Sequence, residues 1–168
     1  MEKEIKFSVN MKVKYMYNFQ MHHAYVGIQG LLGVLASIIA WVLYFNGYGK
    51  GDATKTLIIV FLGLLYTVIN PVLLLYKAAK QVKLTPTFKD SLEYTLNKDG
   101  ITVGQGEEEG TIPWDQVWKV YETKTSIILY FNRVVAYILP KECMGDQVDD
   151  VKQMIRENVQ CKVLKLKK

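Results

Sequence analysis

The distribution of apolar and polar positions divides the chain into two stretches of different character. No Lys, Arg, Asp or Glu lies between Lys14 and Lys50, and within that window Ala24 to Phe45 (AYVGIQGLLGVLASIIAWVLYF) is almost wholly apolar. A second charge-free window, Thr56 to Tyr76, contains LIIVFLGLLYTVINPVLLLY. At about 1.5 Å of rise per residue the first window makes a helix of roughly 33 Å, enough for a hydrocarbon core of about 30 Å. The pattern therefore predicts transmembrane helices at 24–45 and 57–76, joined by a short loop at 46–56. A cleaved leader fits poorly, because its apolar region runs only about 7 to 15 residues before a small-residue cleavage site. Here the run ends in Trp41, Tyr44 and Phe45, aromatics suited to the headgroup layer.

Outside these windows the period changes. Ile5, Phe7, Val9, Met11 and Val13 alternate with polar residues, which predicts a half-buried strand or surface-lying segment within an N-terminal arm, 1–23, on the cytoplasmic side. After Lys83 come short β-like runs: LTPTFK, LEYTLN, ITVGQ, GTIPW, QVWKVYET, SIILYFN and VVAYIL. Turn chemistry separates them at Asn97 to Gly100, at the acidic Gly106 to Gly110, at Lys124 to Ser126 and at Asn132-Arg133. Such spacing predicts a single antiparallel sheet or barrel. A helix follows, with Asp146 as N-cap, Asp149 and Asp150 in its first turn, and an apolar stripe of Val148, Val151, Ile155 and Val159. The expected fold is thus an α+β membrane protein: a two-helix hairpin plus a cytoplasmic β domain, 84–160, capped by its C-terminal helix.

Charge sharpens this picture. Residues 1–83 carry net +6 and residues 84–168 net −1, so the basic excess of a chain with overall charge +5 lies beside the apolar windows. That placement suits anionic lipid headgroups and argues against nucleic acid, because the β domain has no basic stripe. Lys3, Lys6, Lys12 and Lys14 precede the first window, Lys77, Lys80, Lys83 and Lys89 follow the second, and the connecting loop has only Lys50 and Lys55. This bias places both termini in the cytoplasm.

Candidate chemistry is sparse. Gln29 and Asn70 are the side-chain amides inside the predicted spans 24–45 and 57–76, each six or seven residues from His23 or Lys77. In an antiparallel hairpin they come level at about 10 Å depth, which predicts an interhelical hydrogen bond. Pro71 predicts a kink at the same depth. Gly27, Gly30, Gly33, Ser37 and Ala40, with Gly63 and Thr67, recur at spacings that allow close helix approach, the alternative being the general abundance of Gly in membrane helices. Trp114 and Trp118, four apart in a strand-like run, predict a shared sheet face that packs in the core or forms a partner surface. His22 and His23 have no third ligand nearby, and Cys143 and Cys161 no His at metal spacing, so neither metal nor cofactor is expected. Gly-rich phosphate loops, GxSxG and HExxH motifs are absent, which argues against an enzyme.

The order of parts, with TIPWDQVWKVYET (Thr111 to Thr123), SIILYF and VVAYILPKECM (Val134 to Met144), resembles the bacterial YcxB-like family. The resemblance implies a C-terminal domain similar to a pleckstrin-homology (PH) fold and a membrane location, and it supplies no active site. The expectation is a non-enzymatic protein-interaction module on the bilayer, meeting a protein partner at the cytoplasmic face. The alternatives are a lipid-binding or lipid-sensing regulator, and a homo-oligomeric small channel or immunity-type protein.

Overall fold

The computed structural model describes residues 4–133, 135–161 and 163–166. Lys3, counted among the flanking lysines, and Val134, expected to open the last strand, lie outside the described residues. The chain forms two compact units, one joining the N-terminal strand and the start of the first helix to everything after Gln81, the other being Tyr17–Lys80.

In the first unit β1 (Ile5–Val9) buries Ile5, Phe7 and Val9 and exposes Lys6 and Ser8, as strand periodicity requires. It is shorter than the expected Ile5 to Val13, because helix begins at Val13. β1 pairs antiparallel with β2 (Leu92–Leu96), Ile5 opposite Leu96 and Val9 opposite Leu92. β3 (Gly100–Gln105) and β4 (Glu108–Pro113) complete a four-stranded sheet in the order β1-β2-β3-β4. The turn between β3 and β4 is only Gly106-Glu107, and Gly106 supplies the positive φ of 63° it needs. The acidic run expected as turn therefore lies largely within β4.

The second sheet has the order β7-β6-β5-β8, from β5 (Lys119–Glu122), β6 (Ser126–Tyr130), β7 (Ala136–Pro140) and β8 (Val163–Lys165). β8 pairs parallel to β5, so the expectations of one sheet and of purely antiparallel pairing both fail. No closed barrel forms among the described residues. LTPTFK is not a strand either: Pro86–Phe88 is a 3₁₀ turn, consistent with the missing N–H and fixed φ of Pro86. The sheets meet where Tyr94, stacked on Phe7 at 5.6 Å, takes the edge of Tyr137 at 5.8 Å. α5 (Lys141–Met144) and a 3₁₀ turn lead into α6 (Val148–Asn158), which buries Val151, Met154 and Ile155. Asp146 sits in that 3₁₀ turn and is not the N-cap; Gln147 occupies the position without a side-chain bond.

The second unit is helical. α1 (Val13–Tyr25) stops at Val26-Gly27, and α2 (Ile28–Phe45) starts there, so the run Ala24 to Phe45 is interrupted near its beginning. Asp52 caps α3 (Ala53–Leu64) by accepting from the Lys55 N–H at 3.1 Å. A π-helical turn, Leu65–Ile69, joins α3 to α4 (Asn70–Leu84), which extends beyond the expected end at Tyr76. Ile28–Phe45 and Ala53–Leu84 are both long and apolar enough to cross a membrane.

Candidate functional site: a polar seam in the hairpin

Pro71 dictates the chemistry of this seam. It has no N–H, and an apolar hairpin has little else with which to satisfy the backbone groups it orphans. In the π-turn the Asn70 N–H reaches back five residues to the Leu65 carbonyl. The next π partner, for the Tyr66 carbonyl, would be residue 71, which cannot donate. Tyr25 takes its place, its hydroxyl donating to the Tyr66 carbonyl at 2.7 Å. The Asn70 amide in turn donates to the Tyr25 hydroxyl at 3.3 Å, and the Tyr25 and Tyr66 rings meet edge to face at 6.0 Å.

One turn earlier a second hydroxyl enters the same helix. Buried Ser37 donates to the Leu62 carbonyl at 2.8 Å and accepts from the Tyr66 N–H at 3.3 Å, bridging the two groups an α-turn would join directly. Thr67 donates to the Gly63 carbonyl at 2.7 Å. At the depth where a Pro71 kink was expected, the structure has a π-turn held by hydroxyls from the facing helices.

Gly33 and Gly63 make room for rings, whereas Gly30 lies against backbone, a Cβ there falling 2.2 Å from the Ala24 carbonyl. A Cβ on Gly33 would lie 2.2 Å from the Tyr66 ring, and one on Gly63 2.8 Å from the Trp41 indole. Each helix thus lodges an aromatic of the other against a bare Cα.

Gln29 and Asn70 border the same cavity of about 420 Å³, which His23, Gly27 and Tyr66 also line. Among the described residues no hydrogen bond joins them: Asn70 bonds Tyr25, while Gln29 is exposed at the first turn of α2. Sequence reasoning missed Tyr25 and Tyr66. The usable signal was Pro71 itself, which calls for a hydroxyl donor one turn earlier.

Trp114 and Trp118 do not share a strand face. Trp114 is in the 3₁₀ turn Trp114–Gln116, buried, with its indole N–H donating to the Asn97 carbonyl at 2.8 Å. Trp118 precedes β5, half-buried, with Lys119 Nζ 3.8 Å from its ring centroid.

Two charged clusters tie the domain together. Glu122, its side chain 3% exposed, pairs with Lys141 at 2.5 Å and lies 3.9 Å from buried Lys152. Glu142 accepts from Lys14 and Lys12, and the hydrogen bond from Lys14, then that from Tyr15, holds its carboxyl down at about 2. Burial, and then the bond to Glu142, pushes the Tyr15 hydroxyl well above its ordinary value. These groups link α1's first turn to α5, which is structural work. Among the described residues no three His, Cys, Asp or Glu side chains converge as metal ligands.

Residues 96–155 match the YcxB-like protein family. The YcxB-like segment runs from the last residue of β2 into α6, and so includes Trp114, Trp118 and Glu122. β1, β8 and the helical hairpin lie outside it. No curated protein and no solved structure matches the chain.

Proposed function

We propose that the chain is a bilayer-anchored, non-enzymatic interaction module, in which the hairpin holds the α+β domain at the cytoplasmic face of a bacterial cell membrane and the domain meets a protein partner there. Exposure carries this reading. Of an 18-residue apolar window in each long helix only 17% and 11% is buried. Ile28, Leu32, Ile39, Leu57 and Phe61 are each more than half exposed. A core helix of a water-soluble protein buries such residues, and a patch this large in water would drive association. The lysine bias supports cytoplasmic termini. Two four-stranded sheets, with α6 between β7 and β8, support reading the YcxB-like segment as part of a PH-like domain.

The open edge at β4, exposed at every residue but Ile112, suits an added partner strand. Membranes washed with alkaline carbonate should retain the full chain and detergent should release it; recovery in the soluble fraction would remove the anchor. A partner co-purifying in mild detergent should be lost with Thr111→Pro, which blocks strand addition at β4. Retention of that partner would exclude this edge. A second reading, a lipid-binding regulator, is favoured by the cavity beside Asn70.

A further inference from the structure

We infer that the hairpin cavity binds the neutral, hydroxyl-bearing head of a membrane lipid of the diacylglycerol class, an inference that rests on the membrane reading above. The volume, about 420 Å³, is that of a small-ligand site. Its polar lining is His23, Gln29, Tyr66 and Asn70, and no Lys, Arg, Asp or Glu contributes. The lining holds no permanently charged cation to pair with a lipid phosphate withdrawn from water, so it favours an uncharged head.

A hydroxyl both donates and accepts, and the cavity offers both functions. The Asn70 amide nitrogen is engaged by Tyr25, leaving its carbonyl oxygen to accept. The Gln29 amide makes no hydrogen bond among the described residues and can both donate and accept. Gln29 sits in the first turn of α2, just past the break at Val26-Gly27, so its amide opens onto the cavity at the start of the apolar helix. Exposed Ile28, Leu31 and Leu32 continue from it as an apolar track for acyl chains.

Gly27 provides the test. A Cβ there meets nothing within 4 Å and its φ of −82° suits any residue, so a large side chain can be placed at the cavity's rim without straining the backbone. The full chain, in phosphatidylcholine nanodiscs, is labelled with a diacylglycerol carrying a photoactivatable acyl chain. Labelling should map to residues 24–32 and be competed by unlabelled diacylglycerol, but by neither phosphatidylglycerol nor free glycerol. Gly27→Phe should reduce it to background. Gln29→Leu should weaken binding about fivefold, the equivalent of one neutral hydrogen bond. Both variants should unfold as the parent does.

Undiminished labelling of Gly27→Phe would overturn the site. If that variant misfolds, undiminished binding by Gln29→Leu does the same. Equal competition by phosphatidylglycerol would overturn the neutral-head assignment. Failure of the membrane reading would show earlier and separately, as a chain that needs no nanodisc to stay soluble.

Discussion

Replacing Tyr25 by Phe removes one oxygen and leaves the ring in its edge-to-face contact with Tyr66 at 6.0 Å. Two bonds are lost, the 2.7 Å donation to the Tyr66 carbonyl and the 3.3 Å bond from Asn70. A buried acceptor left unsatisfied costs about 1–3 kcal/mol. Interhelical bonds in membrane proteins average nearer 0.6 kcal/mol and reach roughly 2, because the unfolded chain in lipid also finds partners. The long Asn70 bond adds little, so the expected loss is about 1–2 kcal/mol.

Pro71→Ala isolates the cause. It restores an N–H at the position where the Tyr66 or Thr67 carbonyl needs one, and so reduces the need for Tyr25. Tyr25→Phe should then cost measurably less in the Pro71→Ala background, with a coupling of about 0.5–1 kcal/mol between the sites. The assay is reversible unfolding in mixed detergent and SDS micelles, followed by far-UV circular dichroism. An identical Tyr25→Phe cost in both backgrounds would refute the claim that Pro71 orphans the carbonyl Tyr25 serves, and a silent Tyr25→Phe would refute the bond's contribution.

Other substitutions probe the rest of the fold. Gly33→Leu drives a side chain into the Tyr66 ring and should destabilise the hairpin by about 1–3 kcal/mol in the same assay; no change would mean the ring does not pack there. Glu122→Gln removes the buried charge between Lys141 and Lys152 and should cost about 1–2 kcal/mol, below a fully broken buried pair because Lys152 keeps Asp149 at 3.0 Å and Lys141 is still 24% exposed. Denaturation read by the fluorescence of Trp114 and Trp118 in a Trp41→Phe background checks this, and an unchanged transition would refute it. Phe7→Ala should destabilise the domain by roughly 3 kcal/mol although Phe7 lies far outside the YcxB-like segment, since it stacks on Tyr94; an unchanged transition would remove β1 from the cooperative unit. Because the Glu142 carboxyl is lowered from 4.5 to about 2, its stabilising contribution is complete above 4.5 and is lost as pH falls toward 2. Glu142→Gln should therefore flatten the stability profile in that window and leave its shape at neutral pH unchanged.

Charge-free runs of sufficient length, the switch to period-two alternation after Lys83 and the apolar stripe of the last helix all depend on residues close in the chain. The sequence alone therefore determined that there are two long apolar helices, most of the strands and a closing helix. Long-range pairing was not encoded in this way. Nothing local to Ile5–Val9 indicates that it joins Leu92–Leu96, and the three residues of β8 are too few to show a period before β5 receives them. In the hairpin, rise per residue predicts that Gln29 and Asn70 come level, and they do border one cavity, but whether they face each other depends on rotation about each helix axis. One extra residue in the π-turn changes that rotation by about 100°, enough to turn Asn70 toward Tyr25, and only the packed helices decide where such a turn forms.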